Sequence, residues 1–215
     1  MRKKKEQPDK LAFEREMFSL GAEYIAGVDE AGRGPLAGPV VCAAVIMPLG
    51  AGALLEGVDD SKKIKEGERE RLAAFIRERA VAYNVCAIGN EEIDAINILE
   101  ATRLCMKRAV EGLSVEPDIV FTDGNFALDI GIPQQNIVKG DALSYSIGAA
   151  SILAKVYRDG LMREYDEIYP QYGFAAHKGY GTKAHEEAIR EYGLCKIHRR
   201  TFTKKFWAGQ EKSEE

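Results

Sequence analysis

The chain has 215 residues, 46% hydrophobic and 30% charged, with a formal net charge of −4; this length supports one substantial core and is short for two. The longest unbroken apolar run, Val40 to Met47, falls far below a membrane span, and the basic start Met1 to Lys10 leads into charged residues instead of a signal-peptide core, so no membrane partner and a cytoplasmic location are expected. Cys42, Cys86, Cys105 and Cys195 form no C-x-x-C pair, which favours free thiols over a zinc site.

In chain order, Leu11, Phe13, Met17, Phe18 and Leu20 lie partly on one side of a short helix closed by Gly21. Residues 24–29 and 40–47 read as strands near the middle of a sheet, the second of the kind buried on both faces. Between them stand an acidic pair, Asp29 and Glu30, and a loop carrying Gly32, Arg33 and Gly34. A loop over 48–57 precedes Asp59-Asp60-Ser61-Lys62-Lys63. Leu72, Phe75, Ile76 and Ala80 follow helical spacing over 66–80, with Arg and Glu on a solvated opposite face. A strand over 81–88 and a helix over 91–111, in two pieces around Asn97, come next.

A short strand at 119–122 ends in Asp123-Gly124-Asn125, and Ile137 with Val138 forms another. Gly140-Asp141 then opens the longest helix, where Leu143, Ile147, Ala150, Ala154, Tyr157, Leu161, Tyr165 and Ile168 make a core-facing stripe. Pro170 and Gly173 end it. From 172 to 207, eight Lys and Arg stand against three Glu, and all three histidines lie there. Such a basic end on an acidic protein suits a polyanionic partner. Interleaved strands and helices make a mixed α/β sheet with helices on its faces the natural class.

Asp29 and Asp123 sit at strand ends, and Asp141 where a strand gives way to a helix. Sites in open α/β sheets form at the carboxyl ends of strands, so these acids can converge. Buried carboxylates need a cation, a base or a proton, and an oxygen-only donor set points to Mg²⁺ or Mn²⁺. Two such ions about 3.5–4 Å apart would hold all four acids ionised and serve in-line phosphoryl displacement, so phosphodiester hydrolysis is inferred. Each acid also has a structural reading: a solvated turn for Asp29 and Glu30, turn chemistry for Asp123, a helix N-cap for Asp141. Neighbours on a strand face opposite ways, so Asp29 and Glu30 meet only if the strand bends or ends, as Gly-Arg-Gly allows. Asp159 lies about 27 Å from Asp141 along a continuous helix and reads as structural.

The blocks V-D-E-A-G-R-G-P-L-A-G-P-V-V, D-S-K-K, I-N-I-L-E-A-T, D-G-N, V-K-G-D-A, A-A-S-I-L-A-K-V-Y-R-D, H-K-G-Y-G-T-K-A-H and I-H-R-R-T-F, in this order, resemble bacterial ribonuclease HII over residues 23 to 203. The resemblance implies a ribonuclease H-like fold with a catalytic core at 23–170 and a basic helical extension of the same domain at 171–207; the residues outside it read as a basic tail and short helix at 1–22 and a disordered tail at 208–215. It implies a monomer that cuts the RNA strand of RNA/DNA hybrids and the 5′ side of single ribonucleotides in duplex DNA, leaving 5′-phosphate and 3′-hydroxyl ends, in ribonucleotide and primer removal. By motif, Asp29, Glu30, Asp123 and Asp141 would bind metal, Gly32, Arg33 and Gly34 would read the 2′-hydroxyl, and Tyr180 would pack on the adjoining deoxyribose. The 2′-hydroxyl is the only handle separating RNA from DNA at one nucleotide, glycines admit close main-chain approach, and Arg33 can add a phosphate contact. Arg33 otherwise reads as a surface charge, and Tyr180 as a core or turn aromatic. Lys62 and Lys63 either contact phosphate or solvate a helix start. Tyr145 and Gly148 depart from the family pattern and put the helix after Asp141 in question, since an interior glycine costs about 1 kcal/mol relative to alanine.

Three other readings compete. Ribonuclease HIII carries an added N-terminal domain, for which the roughly 22 residues before the first strand are too few. A catalytically silent nucleic-acid-binding module would not need all four acids. A dinucleotide site would need its third glycine one position before Gly38 and a helix that Pro35 and Pro39 forbid. A sliding clamp is a further possible partner, for which residues 208–215 offer no clear peptide motif.

Overall fold

Seven consecutive residues, Val40–Ile46 (β2), are apolar and buried, which requires cover on both sheet faces. The computed structural model describes residues 9–49, 57, 58, 61, 62, 64–125 and 127–206. β1 (Ile25–Ala31) and β3 (Ala82–Ile88) flank β2 in antiparallel pairing. β4 (Ile119–Asp123) and β5 (Gln134–Ile137) extend the sheet parallel to β1, giving the order β3-β2-β1-β4-β5. This is the mixed sheet flanked by helices that the sequence implies. Its parallel part sends the carboxyl ends of β1, β4 and β5 to one edge.

On one face, α3 (Asn90–Glu111) packs over Val28, Val40, Cys42 and Ala44. It kinks at Asn97 (φ 67°), whose Oδ1 accepts the N–H groups of Leu99 and Glu100, matching the expected two-piece helix. On the other face, α5 (Tyr145–Ile168) and α2 (Glu66–Arg79) cover Val41, Ala43 and Val45. Gly27 makes this approach possible, because a Cβ there would fall 2.1 Å from the Ser146 carbonyl carbon.

The helix expected from Gly140 onward is in fact two. α4 (Gly140–Leu143) stops at Ser144, whose extended backbone (ψ 133°) starts α5 afresh. The Ser144 hydroxyl accepts the Ile147 N–H at 3.2 Å and donates to Glu14 at 2.6 Å. Glu14 sits on α1 (Ala12–Ser19), is wholly buried, and also accepts the Ser146 N–H at 3.0 Å. A carboxylate at the positive end of α5 is favourable. Residues 12–19 are thereby tied to the core, and α5 runs unbroken through Tyr145 and Gly148.

Arg69 and Asp159 are among the charged helix residues that are not solvated. Arg69, expected on the outer face of α2, is buried and donates to the carbonyls of Ser61 and Ile64 at 2.7 and 3.0 Å. Asp159 pairs with Lys155 at 2.7 Å and lies 3.6 Å from Arg69. Among the described residues no helix is long and apolar enough to cross a membrane, and the four cysteines are free thiols. The tail at 208–215, most of the loop at 48–57, Asp59, Asp60 and Lys63 lie outside the described residues.

After α5 the chain forms α6 (Phe174–His177) and α7 (Lys183–Tyr192), which enclose a small core of Leu36, Met162, Tyr172, Phe174, Ile189 and Ile197. The histidines are built into it. The Tyr180 carbonyl only accepts, so His185 Nδ1 donates to it at 3.0 Å, leaving His185 Nε2 to accept from His198 Nε2 at 3.0 Å. His198 Nδ1 then accepts the Cys195 N–H at 2.9 Å. Both rings are neutral, and burial holds their pKa values down to about 4.

Because the unfolded chain binds these protons near pH 6.5 and the folded chain does not, stability falls as pH drops from 6.5 toward 4. Between pH 6.5 and 5 the protein should lose on the order of 1–2 kcal/mol more than His198→Asn in parallel denaturant titrations. Equal losses in the two proteins would contradict neutral, hydrogen-bonded histidines; the carboxylates, common to both, cancel.

Candidate active site

The parallel register brings the acids level. Val28 pairs with Thr122, so Asp29 and Asp123 are the next residues along two adjacent parallel strands, on the same face. Asp123 pairs with Ile137, after which the chain turns through Lys139 (φ 61°) into α4. That left-handed turn presents the Gly140 N–H to Asp123 Oδ1 at 2.8 Å. Asp141 follows as the second residue of α4, inside the helix instead of at its N-cap. Carboxylate oxygens of Asp29, Asp123 and Asp141 lie within 4.8 Å of one another.

Glu30 is not in that group. β1 continues to Ala31 in register with β2, two residues past the strand end expected at Asp29. Asp29 lies opposite Ala43 on the α5 face and Glu30 opposite Cys42 on the α3 face. The Glu30 carboxylate turns toward Arg33, 3.5 Å away at its Nη1. It remains close enough to feel Asp123 electrostatically.

Burial pushes the Asp29 carboxyl well above the usual carboxylate range, and the Glu30 and Asp123 charges add to it, against a hydrogen bond from Ser151. Glu30 is raised by burial as well, opposed by Arg33 and Lys62. Three clustered oxygens, two of them on nearly buried aspartates, form a donor set that fits a hard divalent cation, whose charge would relieve the repulsion.

The loop after β1 rises beside this cluster. Gly32 adopts φ 93°, and a Cβ on it would collide with Arg158. Gly34 faces Tyr180, whose Cε1 is 3.7 Å from where a Gly34 Cβ would stand. Tyr180 is half exposed, and Arg33 and Gly34 are exposed, so these three of the expected substrate-facing positions lie at the surface, whereas Gly32 is buried. Lys62 is exposed and acts electrostatically on Glu30. Its segment is held by Arg69 and by the Ser61 hydroxyl, 2.9 Å from that of Ser151.

The basic end is less open than the sequence suggests: Arg199 is fully buried, and Lys183, Arg190 and Lys205 pair with Glu187 and Glu186. Ser151, Arg158, Arg199 and His185 all support the site without having been singled out from the sequence. Ser151 and Arg158 were hidden inside an apolar helix pattern, and Arg199 inside a basic run.

A family model described as ribonuclease HII matches residues 26–209. A ribonuclease HII of Ruminiclostridium cellulolyticum is 54% identical over 196 residues, 91% of this chain and 76% of that protein. Among solved structures, the ribonuclease H2 of Pyrococcus horikoshii OT3 aligns with a TM-score of 0.73 at 29% identity, over 86% of this chain and 97% of that one. A Bst-RNase HIII crystallised in complex with Mn²⁺ aligns at 0.66 with 21% identity, over 89% of this chain and 71% of that one, a likeness of fold.

Raised carboxyl pKa values mean that the folded, metal-free protein binds extra protons, so these acids lower its stability at neutral pH. Asp29→Asn should therefore melt higher than the parent in EDTA at pH 7, by about 1 kcal/mol or about 2–4 °C. Divalent metal should narrow or reverse the gap by stabilising the parent more. A lower melting temperature for Asp29→Asn in EDTA would refute the repulsion.

Proposed function

The chain belongs to the ribonuclease HII family, endonucleases that cut RNA in RNA/DNA hybrids with divalent metal, and on that footing we propose how its residues divide the work. The observation that carries the proposal is the convergence of Asp29, Asp123 and Asp141 at the carboxyl edge of the sheet. These three, with Glu30 from the opposite strand face, would hold two divalent ions, Mg²⁺ or Mn²⁺. Bound there, such ions supply water activation and charge neutralisation at the leaving oxygen of an in-line displacement. The products carry 5′-phosphate and 3′-hydroxyl ends.

The chain's own residues select and place the substrate. Main-chain groups of Gly32, Arg33 and Gly34 meet the 2′-hydroxyl, which glycine permits by leaving the backbone uncovered. The Arg33 guanidinium and Lys62 contact phosphates near the acids. Tyr180, 3.7 Å from the space above Gly34, packs on the sugar of the next deoxynucleotide. His185, donating to the Tyr180 carbonyl, fixes the backbone that carries that ring. With these parts the enzyme cuts 5′ of a single ribonucleotide within duplex DNA, acting as a cytoplasmic monomer in ribonucleotide removal.

A duplex with one ribonucleotide, incubated with Mg²⁺ or Mn²⁺, should be cut on the 5′ side of that residue, and Asp29→Asn should abolish the cut. Inactivity of the parent with both metals, or an active Asp29→Asn, would reject the assignment. Tyr180→Ala should lower single-ribonucleotide cleavage about 10–100-fold, in line with about 1–3 kcal/mol per aromatic stack, with Mn²⁺ affinity unchanged. Equal losses of cleavage and metal affinity would reject the sugar-packing role.

A further inference from the structure

Arg158 and Arg199 are the largest fully buried side chains, at 1% and 0% exposure. Neither guanidinium has a carboxylate at ion-pair distance among the described residues. All their hydrogen bonds go to main-chain carbonyls. Arg199 donates from Nε to Gly38 at 3.0 Å, from Nη1 to Arg33 at 2.8 Å and from Nη2 to Gly32 at 2.6 Å. Arg158 donates from Nε to Pro39 at 3.0 Å, from Nη1 to Lys178 at 2.9 Å and from Nη2 to Ala37 at 3.3 Å. Five of these six acceptors belong to the segment from Gly32 to Pro39, and the sixth lies two residues before Tyr180.

A buried cation without a counter-ion is costly, and a clamp alone could be built from apolar packing. What the arginines add is direction. In a trans peptide the N–H of one residue points opposite to the carbonyl of the residue before it. Drawing the Gly32 and Arg33 carbonyls inward turns the Arg33 and Gly34 N–H groups outward, and among the described residues neither donates to a protein acceptor. They emerge on the exposed side that Tyr180 borders. A positive charge behind each carbonyl also polarises the peptide and strengthens the outward donor.

We propose that Arg199, backed by Arg158, is the positioning residue for ribonucleotide recognition: it fixes two peptide planes so that the Arg33 and Gly34 N–H groups face the substrate's sugar. The proposal rests on the reading of this loop as the 2′-hydroxyl site. Lysine keeps the charge but, as a single point donor, cannot replace a planar fork that spans three carbonyls.

The test is the affinity of full-length protein, in an Asp29→Asn background to prevent cutting, for two duplexes that differ by one 2′-hydroxyl. Adding Arg199→Lys should weaken binding to the ribonucleotide duplex about tenfold and to the all-DNA duplex less than about threefold. Arg158→Lys, whose parent side chain abuts Gly32, should give the same split in smaller measure, and it decides the question if Arg199→Lys does not fold. Equal weakening toward both duplexes, or an unchanged ratio, would overturn the proposal and leave the arginines as structural clamps. If the Asp29→Asn background itself bound both duplexes equally, the 2′-hydroxyl reading of the loop would fall first and take the proposal with it.

Discussion

Mutual repulsion among carboxylates at one edge of the sheet is the constraint on which the rest of this structure turns. Like charges driven together in a partly buried place do not gather unless the scaffold forces them to. Here parallel pairing of β1 with β4 sets Asp29 and Asp123 side by side, and β5 leads Asp141 to the same edge. The sheet can do this because α5 lies close against β1 at Gly27 and starts afresh at Ser144, under the buried Glu14 carboxylate. The burial that raises the Asp29 carboxyl is the same burial that would make a bound cation's attraction strong.

The C-terminal extension is part of this site. Its Arg199, and the turn before Tyr180, grip the segment that follows Asp29 and Glu30. The extension's own histidines tie Tyr180 to the small core behind it. In the proposed function, chemistry sits at the end of a central strand, while selectivity sits where a loop from that strand meets the extension. A change in the packing of residues 172–203 should therefore be felt first in substrate choice and only later in metal binding.

Much of this was legible in the sequence, for identifiable reasons. The strand at 40–46 announced itself because a doubly covered strand needs an unbroken apolar run, and the strand read at 24–29 is there but runs on to Ala31. The acids stood out because carboxylates recurred where strands end. The face occupied by Glu30 depended on where β1 stops, and a strand's end is fixed by pairing with β2, which local residues do not reveal. The break at Ser144 did carry a signal, a serine in N-cap position, masked by the apolar stripe running through it. Buried arginines carry no signal of their own: Arg158 and Arg199 read as surface charge until long-range contacts supply their carbonyl partners.

The central claim is that Asp29, Asp123 and Asp141, with Glu30 beside them, are built to exchange protons for divalent cations. Its most direct measurement is calorimetric titration of Mn²⁺ at pH 6.5 in two buffers of different ionisation enthalpy. The account predicts binding with buffer-dependent heat, showing proton release, and weaker binding with less release in Asp29→Asn. Binding without proton release, or identical titrations of the parent and Asp29→Asn, would contradict it.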